Sequence, residues 1–116
     1  MHELSIALSL VELATEELKR VGDGARATAV HLRVGALSGV VRDALLFSYD
    51  IACQDTPLAG SQLIIEDVPV VVFCERCQEQ RPIISLQSFC CAECGAPTPD
   101  IREGKELQLV ALEVEQ

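Results

Sequence analysis

Apolar positions along the first twenty-one residues recur at helical spacing. Leu4, Ala7, Leu8, Val11, Ala14, Leu18 and Val21 form one stripe, widened by Leu10 and Leu13, and Glu12, Glu16, Lys19 and Arg20 lie opposite. This predicts an amphipathic helix over Leu4 to Val21. Gly22 and Gly24 stop it, and Lys19 and Arg20 suit the negative end of its dipole. The period then drops to two. Val30, Leu32 and Val34 point one way and His31 and Arg33 the other, as in a half-buried strand over Ala27 to Val34. Gly35 to Gly39 reads as a loop, with Ser38 as the cap of a second helix from about Val41 to Gln54. Leu45, Tyr49 and Ala52 share a face of that helix with Phe47 and Ile51 beside it, and Thr56 and Pro57 end it. A second strand follows over Gln62 to Val68, and Pro69 leaves the ladder. A last strand runs from Glu106 to Glu115, with Val110, Leu112 and Val114 alternating against Ala111, Glu113 and Glu115.

The order is helix, strand, helix, strand, a cysteine-rich segment, strand. It predicts an α+β fold: two helices packed on a three-stranded sheet, with a four-cysteine, zinc-ribbon-like module inserted before the last strand. Residues 1–69 and 101–116 would form the main domain and residues 70–100 the module. Hydrophobic residues make up 49% of the chain, enough for a core, but only 3% are aromatic, so aliphatic side chains must fill it. No apolar run approaches the roughly 20 residues that span a bilayer. Glu3, Glu12, Glu16 and Glu17 interrupt any signal-peptide core, so a cytoplasmic protein with no membrane partner is expected. The net charge of −9 disfavours binding to phosphate backbones.

Five of the six cysteines fall between Cys74 and Cys94, and the sixth is Cys53. Cys74-Glu-Arg-Cys77 and Cys91-Ala-Glu-Cys94 are separated by thirteen residues. A CxxC turn sets two sulfurs on one side of a tight loop, and two such turns facing each other make the closed thiolate tetrahedron of structural zinc. Iron in the same sulfurs and a redox dithiol are the alternatives. A closed zinc site has no open position for water, so it would fold a segment too short for its own core. Cys90 adjoins Cys91 and could replace it with a longer turn. The two-residue spacing favours Cys91. Cys53, among apolar residues, reads as a small buried hydrophobe. Arg76 and Arg81 are outnumbered by Glu75, Glu79 and Glu93, which again argues against nucleic acid.

The chain starts Met1-His2-Glu3. Histidine is too large for the usual removal of an initiator methionine, so Met1 is expected to stay, with a free amine. That amine, the His2 amide and the His2 imidazole form adjacent chelate rings, and the Glu3 amide or another donor can fill a fourth corner. Such a planar nitrogen set suits nickel(II) or copper(II). The plain alternative is a terminus with no function. His31 reads as a solvated strand residue and Asp43 as a dipole partner of the second helix.

Met1-His2-Glu3 opening an amphipathic helix, joined to a later CxxC-x13-CxxC module, resembles the HypA/HybF family of hydrogenase maturation proteins. The likeness extends through Val34-Gly35-Ala-Leu-Ser38, Leu63-Ile-Ile-Glu66-Asp-Val-Pro69, Glu106-Leu107 and Leu112-Glu-Val-Glu115. It implies a nickel metallochaperone that serves the large subunit of nickel-iron hydrogenase together with the GTPase HypB. It implies His2 as the essential nickel ligand, with the Met1 amine and Glu3 completing or supporting the site and Asp43 as a further carboxylate. It also implies structural zinc on Cys74, Cys77, Cys91 and Cys94, with Cys90 an extra thiol. The oligomeric state stays open, a homodimer included. No Ser/His/Asp set, phosphate-binding glycine loop or acid-base carboxylate pair points to an enzyme. A zinc-ribbon adaptor without nickel and a CxxC redox enzyme are the rival functions.

Overall fold

The computed structural model describes residues 3–115; the expected nickel ligands Met1 and His2 lie outside the described residues. Helix α1 spans Glu3–Val21 and buries Ala7, Leu10, Val11, Ala14 and Leu18. This stripe is narrower than the apolar pattern suggests, because Leu8 and Leu13 are 52% and 58% exposed. Gly22 closes the helix in a left-handed conformation, its amide reaching the Leu18 carbonyl at 3.3 Å.

Strand β1 (Arg26–Gly35) is the middle strand of a three-stranded sheet, between β2 (Gln62–Val68) and β7 (Leu107–Glu115). Its central place explains why Ala27 and Ala29 are buried as well as Val30, Leu32 and Val34. On the edge strand β7 the expected alternation does not bury Val110 and Val114, which are 51% and 40% exposed; of that face only Leu112 is half-buried, together with Leu109.

Helix α2 spans Arg42–Ala52 and buries Leu45, Tyr49 and Ala52, whereas Phe47 is 70% exposed. Its N-cap is Val41, not Ser38, and Val41 offers no side-chain cap. Ser38 instead closes a turn onto the Gly35 carbonyl at 3.0 Å. At the other end Thr56 takes over: its hydroxyl donates to the Cys53 carbonyl at 2.6 Å and accepts from the Leu58 amide at 3.1 Å. The buried Tyr49 hydroxyl meets Ser61 Oγ at 2.6 Å, tying α2 to the segment that leads into β2. Burial raises the Tyr49 pKa, so the phenol stays neutral.

The chain divides into two compact units. One holds the residues up to Arg33, Gly39–Glu66 and the strand from Gln108 on; the other holds Val34–Ser38 and Asp67–Leu107. The second unit therefore reaches beyond residues 70–100 at both ends. The loop Val34–Ser38 belongs to it through backbone bonds from Gly35 to Glu106 (2.7 Å), Ala36 to Val68 (2.9 Å) and Leu37 to Gly104 (2.7 Å). A Cβ on Gly35 would sit 2.1 Å from the Gly104 carbonyl oxygen, so only glycine fits there. This unit contains a four-stranded sheet with order β5-β4-β3-β6, made of β3 (Val71–Cys74), β4 (Glu79–Ser85), β5 (Ser88–Cys91) and β6 (Ile101–Glu103).

Candidate metal centre

Two hairpins present the cysteines. Strands β3 and β4 pair from Val71↔Pro82 to Cys74↔Glu79, so Cys74 ends a strand and Cys77 lies in the connecting turn. Cys91 likewise ends β5, and Cys94 lies in the turn that follows. The two turns share one backbone plan. The Gln78 amide donates to the Cys74 carbonyl at 2.7 Å, and the Gly95 amide to the Cys91 carbonyl at 2.8 Å. Both turns leave through a left-handed residue, Gln78 at φ 58° and Gly95 at φ 77°. Glycine bears this without cost; glutamine does not.

This plan turns amides toward sulfur. The Cys77 amide donates to Cys74 Sγ and the Glu93 amide to Cys91 Sγ, each at 3.4 Å. The four sulfurs of Cys74, Cys77, Cys91 and Cys94 lie within 4.8 Å of one another. Cys74 and Cys94 are 3.6 Å apart, and Cys77 and Cys91 are 3.9 Å apart. A tetrahedral ion with metal–sulfur bonds of about 2.3 Å requires sulfur–sulfur edges of about 3.8 Å. The cluster therefore has the dimensions of a four-thiolate metal site, and it could hold one ion. Cys74 and Cys91 are fully buried and Cys77 and Cys94 partly so, which shields two of the four sulfurs from solvent. Cys90 is half-buried and stands outside the four.

The thiols differ electrically. Arg81 draws the Cys77 pKa down, but contact with Cys94, burial and the sulfurs of Cys74 and Cys91 outweigh it and push it up to about 11. For Cys91, burial opposes ionisation; the amides of Cys94 and Glu93 and the neighbouring thiols prevail and lower it to about 7. In the sequence Arg81 is only a charge. In the structure its Nε is buried without a hydrogen-bond partner, and the guanidinium pairs with Glu79 at 2.5 Å beside Cys77.

The other expected site residues lie elsewhere. Asp43 is in the first turn of α2. Glu3 opens α1, and its Oε2 accepts a hydrogen bond from the Val41 amide at 3.2 Å. His31 Nε2 meets Glu113 Oε2 at 2.7 Å on the sheet, so this imidazole is already engaged. Among the described residues, no second group of three or more potential metal-binding side chains converges. No helix among them is long and apolar enough to cross a membrane.

A family model described as "Hydrogenase/urease nickel incorporation, metallochaperone, hypA" matches residues 1–114. The chain is 52% identical over 113 residues to the hydrogenase maturation factor HypA of Chloroflexus aurantiacus, covering 97% of this chain and 98% of the relative. It is also 52% identical over 115 residues to the factor of the same name from Roseiflexus sp., covering 99% and 93%. The fold is similar to the solution structure of the Ni metallochaperone HypA from Helicobacter pylori, with a TM-score of 0.67 at 24% identity and 97% of each chain covered.

Proposed function

The chain belongs to the HypA family of hydrogenase maturation nickel metallochaperones, and from that premise we propose that it carries Ni(II) at its N-terminus and passes it to the large subunit of nickel-iron hydrogenase. The observation that supports this reading is the closure of the four-sulfur cluster. Four converging thiolates satisfy a tetrahedral ion and leave no vacant position for exchange. A transferable ion needs a different and more accessible set of donors.

In this proposal Cys74, Cys77, Cys91 and Cys94 hold a structural zinc ion. Zinc supplies cross-linking of the two hairpins, and the chain's own amides at Cys77 and Glu93 stabilise the thiolates. Nickel is cargo. The Met1 amine and the His2 amide and imidazole supply nitrogens, and the Glu3 amide or a carboxylate from Asp43 completes the set. Deprotonation of amine and amide is required, so acid favours release. The protein works as a carrier rather than as an enzyme, with the GTPase HypB as partner in the transfer. The six unpaired cysteines suit a reducing compartment, the cytoplasm.

Calorimetric titration of the untagged chain with nickel tests the reading. One ion per chain is expected to bind, with affinity lost in His2→Ala and in a chain carrying extra residues before Met1. Unchanged affinity in His2→Ala would contradict it.

A further inference from the structure

The N-cap residue of helix α2 makes no side-chain cap hydrogen bond. It is Val41, and the position three residues on, where a glutamate or glutamine reaches back in a capping box, is Ala44. The acceptor comes from another helix: Glu3 Oε2, thirty-eight positions earlier, takes the Val41 amide at 3.2 Å. Glu3 is also the acidic residue in the first turn of α1. One carboxylate thus stands at the positive poles of two helices, a location that favours its charge.

We infer that the Glu3 side chain is a positioning residue for the nickel site, a strut that fixes the start of α1 to the start of α2. This inference rests on the N-terminal nickel reading. In that reading the chelate rings are built from the backbone of the first three residues, so the anchoring of residue 3 bears on nickel affinity. Asp43 lies two positions after Val41, on the first turn of α2. The strut therefore ties the turn bearing Asp43 to the residue that follows His2. The Glu3 carboxylate serves through its hydrogen bond, and the glutamine side chain can accept the same bond through its amide oxygen.

The test uses the full, untagged chain labelled with nitrogen-15. Glu3→Ala is expected to speed exchange of the Val41 amide proton and to weaken nickel binding by about tenfold, the equivalent of a lost cap. Glu3→Gln is expected to restore both. An unchanged Val41 amide in Glu3→Ala overturns the inference. So does a Glu3→Gln chain that regains Val41 protection but binds nickel as weakly as Glu3→Ala, because the carboxylate would then be a ligand. His2→Ala separates the two levels: if it leaves nickel affinity intact the nickel reading falls, and Val41 exchange still reports on the strut.

Discussion

The sulfurs of Cys74 and Cys94 lie 3.6 Å apart although twenty positions separate them along the chain. Nothing covalent joins them, and their hairpins expose much of their short strands. An ion at that point would contribute more than the apolar contacts of so small a sheet. Cys74→Ser is therefore expected to abolish stoichiometric zinc and to loosen residues 67–107. Structural zinc in small domains is worth on the order of 10–16 kcal/mol, so chelation should have the same effect. Metal analysis and amide exchange across β3 to β6 check this, and the natural chain should hold one zinc.

Arg81 stands beside Cys77 with a buried Nε that has no partner. A charge-assisted bond to a thiolate contributes about 1.5–3 kcal/mol. Arg81→Met should preserve the fold and speed zinc loss to a competing chelator by about tenfold or more, read from the kinetics of a coloured zinc indicator.

Loading the cluster must expel protons. In the metal-free chain at pH 7, Cys77, pushed up to about 11, is protonated, and Cys91, lowered to about 7, gives up its proton more readily. Apparent zinc affinity should rise as pH climbs from 7 toward 11 and fall below 7 as Cys91 also protonates. Calorimetry in two buffers of different ionisation enthalpy should register release of at least one proton per ion at pH 7.

Gly35 faces the Gly104 carbonyl so closely that no side chain fits. Gly35→Ala should destabilise the protein by about 3 kcal/mol, because backbone would have to move. Chemical denaturation measures it, with Gly24→Ala as a comparison where open space leaves only the cost of a left-handed conformation.

Both helices and β1 are legible in the sequence because they carry a period of 3.6 or 2; β2, with Leu63, Ile64 and Ile65 in a row, and β7, whose half-buried positions do not alternate, are legible only as apolar runs. The cysteine spacing is legible because the metal-site dimensions follow from two identical turns. The strands between the cysteines are not. Pro82 lies inside β4, a central strand, opposite Val71 of β3, a place that proline seldom takes and that argues against a strand when read from sequence. Ser38 is not the cap of α2 because it is spent in a turn onto Gly35 and the helix starts only at Arg42, and the acceptor for the Val41 amide, Glu3, is non-local. Leu8 and Leu13 look like core on a helical wheel, but the buried stripe is set by how many neighbours the helix has, which periodicity does not record.

X-ray absorption on the untagged chain loaded with one nickel and one zinc addresses the division of labour most directly. A zinc shell of four sulfurs at about 2.3 Å is expected, with a nickel shell of nitrogen and oxygen only that changes in His2→Ala. Sulfur in the nickel shell of the zinc-loaded protein would contradict it.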